Sequence, residues 1–481
     1  MAIEDEVKRT EVEEMTAEAP TQPPAEALAY IKDDGPPEDH HPVSETKRIM
    51  TVGELLPEGG TVEPLRGGQL VLISGQRSIN AAEIEHGDLT YQSLPLPSDL
   101  VKVLRLPRRA GPRTSVASLF LGLAEMAETR AGLVPAAARL WTAAVLATHL
   151  SGAIPVPVLN LWGGPGSPEA MNMAAVQLTT ALVRRPLPLA ELSWGEFLRL
   201  PAGLHPTVIT ALPSRAWLRR LLTAASATGF VCLQGGAVVN FRCALVLCSA
   251  EKVGVPGMAI AVATTNAAIP PLAQPELESL ADLWQARLLD YRARCWTEAA
   301  QFADPVAEFS AALQPIARSL LATLEGCDNL QAQLRTDLMA IDESYRSERS
   351  EGKLGAVVEA LLALVITNTP NAYVHEVARL ANAALTSRQE KAGLTPQEVG
   401  AILREQVRLT PRRMTAGYRV SLDETASARV RFLAAELGID SIADRSADGA
   451  ELPPATMVKD ASLADRGMLS AMPRATEEGR L

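Results

Sequence analysis

Aromatic side chains are scarce in this sequence: Phe, Trp and Tyr together make up 4% of 481 residues. With Ala and Leu abundant, that shortage argues against an all-β fold and for helix-rich packing. Cysteine is scarce too. Cys232, Cys243, Cys248, Cys295 and Cys327 form no Cys-x-x-Cys pair and have no His partner at zinc spacing, which excludes the common zinc modules. Cys243 and Cys248 share one apolar run and read as core. The usage as a whole fits a reducing cytoplasm. Membrane-length hydrophobic runs are missing: Ala136 to Leu150 is apolar but too short to span a bilayer, and Arg139 and His149 interrupt it. The N-terminus is acidic rather than basic-then-apolar, so no signal peptide is expected. The expectation is a soluble, cytoplasmic protein with no membrane partner.

What is present is a chain long enough for two or three domains, 47% hydrophobic and 21% charged, so a sizeable core is expected. The net charge of −11 is unevenly spread. Residues 1–50 hold thirteen Asp/Glu against five Lys/Arg, leaving the rest close to neutral. The acidic total therefore does not exclude nucleic-acid binding by a later domain.

Composition divides the chain. Residues 1–48, rich in Glu, Pro, Thr and Ala, read as a disordered acidic tail, and its His40-His41 pair as solvated. Residues 49–113 carry short apolar runs, "GQLVLIS" and "DLVKVLRLP", between Gly/Pro breaks, and form a small N-terminal segment containing β-structure. From 114 to 274 a helical preamble, with Pro135 suited to a helix start, leads into apolar strands alternating with helices. The strands are "IPVPVLNLW", "HPTVITAL", "GFVCLQGG" and "RCALVLCSA", and "SRAWLRRLLTAASA" lies among them as a helix. That alternation indicates a parallel sheet covered on both faces. Residues 275–350 are helical. Residues 351–440 read as three helices followed by a short basic ribbon, the pattern of a winged helix-turn-helix, with Thr395-Pro-Gln-Glu398 as a capping box for its third helix. Residues 441–481 read as a second disordered tail.

The first strand runs into "GGPGSPEA", the layout of a phosphate-binding loop: strand, Gly/Pro-rich turn, helix. In Gly-x-x-x-x-Gly-Lys-Ser/Thr the glycines turn backbone N–H groups onto phosphate, the lysine supplies counter-charge and the hydroxyl holds magnesium. Here Gly163, Gly164, Pro165, Gly166 and Ser167 keep the first half. Pro168 stands at the second key glycine and removes a donor. Glu169 stands at the lysine; a like-charge pair about 4 Å apart costs roughly 4 kcal/mol at an effective dielectric near 20. Ala170 stands at the hydroxyl. An active ATPase of this kind also ends a neighbouring strand in Asp-Glu, which organises magnesium and activates water. Ala211 and Leu212 occupy those positions here. Taken alone, 163–171 also reads as an ordinary strand-to-helix turn.

The order of the pieces carries a resemblance. "GGPGSPEA", "RRPLPLAELSWGEFLRLP", "PTVITALP", "LLTAASATGFVCLQGG", "RCALVLCSA" and "TPQEVGAILREQVRL" follow one another through residues 115–440. The series resembles a bacterial family of P-loop ATPases similar to the helicase-like part of primase–helicase and DUF3631-type proteins, often found with mobile elements. The resemblance implies an α/β P-loop NTPase-like fold with a helical region and a C-terminal winged-helix-like domain. The departures fall where catalysis resides in that family: Glu169, Ala170, Ala211, Leu212, and Gln234 in place of an arginine before the Gly-Gly. Loss of ATPase activity on a retained scaffold is therefore expected, with no cofactor.

In the C-terminal segment Gln397, Arg404, Arg408, Arg412, Arg413 and Arg419 are candidate nucleic-acid-binding residues on the third helix and ribbon. The competing reading is a protein-docking surface, and Glu398 and Glu405 moderate the positive field. Arg184-Arg185 and Arg219-Arg220 read as solvated faces, with contact to nucleic acid or a neighbouring subunit as the alternative. Arg287, Arg292, Arg294 and Arg318 read as exposed structural residues, and His149, His205 and His375 as structural. The expected function is a non-catalytic, structural or regulatory factor in DNA processing or mobile-element biology. Its expected partners are DNA, an active ATPase paralogue or a second copy of itself. The alternatives are a divergent ATPase using Glu169 or Glu251, and a protein-only scaffold.

Overall fold

The structure, a computed structural model, describes residues 47–56, 59–75, 77–163, 172–190, 194–211, 215–225, 229–234, 237–249, 252, 259–264, 269–388 and 393–439. The expected tails lie outside these residues, apart from 47 and 48.

The N-terminal segment is built of short strands: β1 (Lys47–Thr51), β2 (Glu54–Leu55), β3 (Thr61–Pro64), β4 (Leu70–Ser74), β5 (Arg77–Ala81), β6 (Glu83–His86) and β7 (Leu89–Ser93). β2-β3-β4-β5 form an antiparallel sheet and β1-β7-β6 a smaller one. The expected strand "GQLVLIS" is β4, buried from Leu70 to Ile73. "DLVKVL" is instead the helix α1 (Ser98–Leu104). Its Leu100 and Leu104, one helical turn apart, pack in a cluster with Leu106 and Leu204.

The preamble folds as expected. Ser115 caps α2 (Val116–Ala131) by accepting from the Ser118 N–H at 3.1 Å, and Gly132 ends it at φ 64°. α3 (Pro135–His149) starts on its proline and is buried along nearly its whole length. Within it, Trp141 donates from Nε1 to the Thr179 hydroxyl at 2.8 Å.

Chain order through the next segment is β8 (Val158–Trp162), α4 (Met173–Leu182), β9 (Pro186–Leu189), α5 (Trp194–Phe197), β10 (Thr207–Ala211), α6 (Arg215–Ala225), β11 (Phe230–Gln234), β12 (Ala237–Phe241), β13 (Ala244–Ser249) and β14 (Ala259–Ala263). Five of these strands make a parallel sheet of order β14-β8-β13-β10-β9. Side chains alternate between two cores, as the pleat requires. Leu159, Leu161, Ile209, Val246 and Ile260 meet the helices on one face. Val158, Val208, Leu245 and Ala259 meet Leu221 and Ala224 of α6 on the other.

Three elements depart from expectation. "GFVCLQGG" contributes β11, which pairs antiparallel with β12 and stays out of the main sheet. A two-residue connection can close a hairpin but cannot make a parallel crossover. β9 carries Pro186 and Pro188, poor strand formers that an edge position tolerates. β14 fills the opposite edge from a Gly- and Pro-bounded run that gave no clear strand signal.

Long helices follow: α7 (Gln274–Ala300), α8 (Gln314–Ala322) and α9 (Asp328–Glu351). They complete the larger core with α2, α3 and α4. Arg139 of α3 grips Asp337 of α9 through two hydrogen bonds of 2.6 and 2.8 Å. The chain continues through α10 (Lys353–Ile366), β15 (Asn371–Tyr373), α11 (Val374–Ser387), α12 (Pro396–Ile402), β16 (Arg412–Met414), β17 (Gly417–Ser421) and α13 (Glu424–Glu436), around a hydrophobic cluster of their own.

Glu63 on β3 joins distant parts of the fold. It is 3% exposed and accepts from Arg184 and Arg185 at the α4–β9 junction and from Arg292 on α7. These arginines correct the sequence reading: Arg184 and Arg185 are not a solvated face, and Arg292 is not exposed. All three are at least 95% buried, because one carboxylate and several main-chain carbonyls take up their donors. Arg219 and Arg220 are exposed on α6, as expected. Arg318 is exposed, whereas Arg294 is half-buried against Asp290.

Candidate functional site

The sheet order fixes where a ligand loop would open. From β8 the chain goes out to the edge strand β9, returns through β10 to β13 beside β8, then passes to the far edge at β14. The chain thus leaves β8 toward one edge and later crosses from β13 past β8 to the other edge, and the crevice lies beyond the C-terminal end of β8, where open α/β sheets bind ligands. Gly163, the residue directly after β8, is buried there. Gly164, Pro165, Gly166, Ser167, Pro168, Glu169 and Ala170 lie outside the described residues. On the far side of that gap Asn172 caps α4, accepting from the Ala175 N–H at 3.1 Å, while its amide donates to the Ala131 carbonyl at 2.7 Å.

Register sets the second candidate position. Ala211 is level with Cys248, and Cys248 with Leu161, so these three residues form a row across β10, β13 and β8. Ala211 is exposed at the C-terminal end of β10. It therefore stands two strand spacings, about 10 Å, from the strand that leads into the loop. Leu212 and Glu251 lie outside the described residues. One polar pair near this edge had no sequence signal: Asn160 of β8, fully buried, donates to the Ser249 hydroxyl at 2.8 Å. Among the described residues, no group of three or more His, Cys, Asp or Glu could hold a metal ion. Cys243 and Cys248 are buried thiols, both pushed up to about 12 by burial.

The C-terminal candidates gather around α12 and the β16–β17 hairpin. The capping box is present: Thr395 Oγ1 accepts from the Glu398 N–H at 3.2 Å, and Glu398 accepts from the Thr395 N–H at 2.9 Å. Glu398 also pairs with Lys353 at 2.9 Å. These hydrogen bonds, first the Thr395 main chain and then Lys353, hold its carboxyl at about 2. Gln397 is exposed in the first turn. After Ile402 the helix widens into a π-helical turn, Leu403–Val407, which buries Leu403 and Val407 and leaves Arg404 exposed. Arg408 closes it in the left-handed region at φ 57°.

A two-residue turn joins β16 to β17, and β17 pairs also with β15. Arg412 lies directly opposite Arg419, and Arg419 opposite Tyr373, while Arg413 faces Tyr418. Tyr373 stacks on His375 with ring centroids 5.4 Å apart. Residues 404–419 hold five arginines against one carboxylate, Glu405. No side chain among Arg404, Arg408, Arg412, Arg413 and Arg419 pairs with another described residue.

The parallel sheet with helices on both faces defines an α/β protein, consistent with a P-loop-like arrangement. No helix among the described residues is long and apolar enough to cross a membrane. No protein-family model matches the chain, and no curated protein matches it. Among the solved structures that align with it are two of one protein, described as "The A form apo structure of NrS-1 C terminal region-CTR" and the same A form bounded as 305–718. They are 12% and 9% identical to this chain, cover 76% and 75% of it and 96% of their own lengths, and give TM-scores of 0.30 and 0.31. Likeness at that level carries no argument here.

Proposed function

We propose that this chain is a non-catalytic P-loop ATPase-like protein, a structural or regulatory factor in DNA processing, that engages nucleic acid through its C-terminal segment. The observation that carries this is the hairpin charge. Like charges directly opposite on a sheet destabilise it, yet Arg412 and Arg419 sit opposite each other without a described acidic partner. A phosphate backbone is the ligand that turns such a pair into a gain. The order α10-β15-α11-α12-β16-β17 supports reading the segment as a winged helix, with α12 presented to a groove and the hairpin to phosphate. The loss of lysine, hydroxyl and both carboxylates from the nucleotide motifs supports the non-catalytic half of the reading.

The test is full-length protein titrated with labelled duplex DNA across a salt series. If all five arginines meet phosphate, log affinity should fall against log salt with a slope of about −4.5, a loss of about 500-fold over a four-fold rise in salt. The double change R412A/R413A should weaken binding similarly for different sequences and lower the slope by about 2. Absence of binding at low salt points instead to protein docking. The same preparation should show no magnesium-dependent ATP hydrolysis above background. Turnover abolished by a point change within 163–171 would establish the divergent-ATPase alternative.

A further inference from the structure

The cluster around Glu63 holds more positive charge than its own groups balance. Burial alone would raise the Glu63 carboxyl, but Arg184, Arg185 and Arg292 outweigh it and hold the group well below the usual carboxylate range. His149 beside them is neutral at pH 7: burial and the neighbouring arginines bring its ring down to about 3. Burial and Arg184 lower Arg185 to about 9 and Arg292 to about 10, so both stay charged at neutral pH. Three guanidinium groups thus face one carboxylate.

The arginines are not equally satisfied. Arg185 donates to Glu63 and to the carbonyls of Val52, Gly203 and Leu204. Arg292 donates to Glu63 at 2.7 Å and to the His149 carbonyl at 2.5 Å, and it lies over the Trp296 ring at 4.7 Å. Among the described residues the Arg184 guanidinium has only Glu63, reached by Nη2 at 3.1 and 3.2 Å. Its Nη1 is buried and has no partner among the described residues, although Arg184 is just 5% exposed.

Arg184 lines a small cavity together with Glu63, Arg105, His149, Gln285 and Arg292. A second cavity shares Arg105 and Gln285 with it and continues past Arg66 and Lys102. Arg66, Lys102 and Arg105 line that second cavity along with Glu278 and Asp282, so its lining is mixed in charge.

We propose that the cavity beside Glu63 is a binding site for a small inorganic oxyanion of the phosphate or sulfate class, held by Arg184 with Arg105 and Arg292 alongside. A guanidinium fork matches a tetrahedral oxyanion through paired hydrogen bonds, and the unpartnered Nη1 supplies the missing donor. The bound charge offsets the excess that Glu63 leaves. This site is separate from the C-terminal face and does not depend on its function.

Thermal unfolding of the full-length protein, with inorganic phosphate titrated at constant ionic strength, tests the proposal. A saturable rise in Tm of several degrees is expected once phosphate exceeds its Kd about a hundred-fold. The rise should persist in R412A/R413A, which removes the exposed arginines, and vanish in R184M. Should R184M fail to fold, R184K serves in its place: it keeps the charge but loses the fork, so the phosphate response should move to higher concentration. No saturable response to phosphate or sulfate overturns the proposal, as does an undiminished response in the Arg184 variants. A rise with adenosine monophosphate that free phosphate does not reproduce overturns it in favour of a nucleotide.

Discussion

His149 shows how burial sets the behaviour of a single side chain. Its Nε2 has the Leu182 carbonyl at 2.8 Å, and Arg184, Arg292 and Glu63 surround it. The folded ring titrates at about 3, against 6.5 for an ordinary histidine. Below pH 6.5 the unfolded chain takes up a proton that the folded ring refuses. Stability is therefore full above pH 6.5 and falls as pH drops toward 3, by up to about 1.4 kcal/mol per pH unit for this group. His205 is lowered to about 3 as well, chiefly by burial, and acts in the same direction. The Glu63 carboxyl adds its own loss only below about pH 4.5, where the unfolded carboxylate protonates. Between pH 6.5 and 5 the decline thus reports histidine. Urea unfolding across that range should show a shallower decline for His149→Gln than for the parent. Equal slopes would mean that the proton is taken up elsewhere. Close approach matters in the same cluster: Gly53 sits at φ 125°, where a Cβ would collide with the Arg185 guanidinium and the Glu63 carboxylate.

Helix ends were legible because their chemistry is local. Pro135 and the Thr395–Glu398 box each sit where the sequence placed them. Replacing Thr395 by Ala should cost about 1 kcal/mol, read as a lowered denaturation midpoint with an unchanged m-value. An unaltered midpoint would mean that Lys353 alone holds Glu398. Strands were legible only where apolar runs were continuous. β8, β10 and β13 are such runs, and they form the middle of the sheet. β9 hid behind its prolines, and β11 carried a core-like pattern into a separate hairpin where Val231 is exposed. Arg184-Arg185 misled for a different reason. A charged pair normally means solvent, and nothing in "TVEPLRG" announces that Glu63 will meet it. Such partners are found through tertiary contact, which periodicity does not encode.

Across the whole sheet, the two positions expected of a nucleotide motif lie apart, one directly after β8 and one at the end of β10, with β13 between them. Repairing one leaves the other unrepaired. The triple change Pro168→Gly, Glu169→Lys and Ala170→Ser should therefore leave phosphate release from ATP at background, because Ala211 and Leu212 supply no carboxylate. Hydrolysis gained from the loop changes alone would show that a carboxylate from another element serves. The layered architecture was readable in advance from alternating strands and helices, but the strand order was not, since it depends on which edge each crossover reaches. The Glu63–Arg292 bond spans 229 residues, and that distance has a meaning in time. A ribosome adds about 5–20 residues per second, so the carboxylate leaves the tunnel roughly 10–45 s before the arginine that completes its shell. Through the later part of that interval Arg184 and Arg185 are the arginines already made, and the shell around Glu63 is still incomplete. The link from β3 to the α4–β9 junction can thus form first, and the contact with α7 is the last part of the cluster to close.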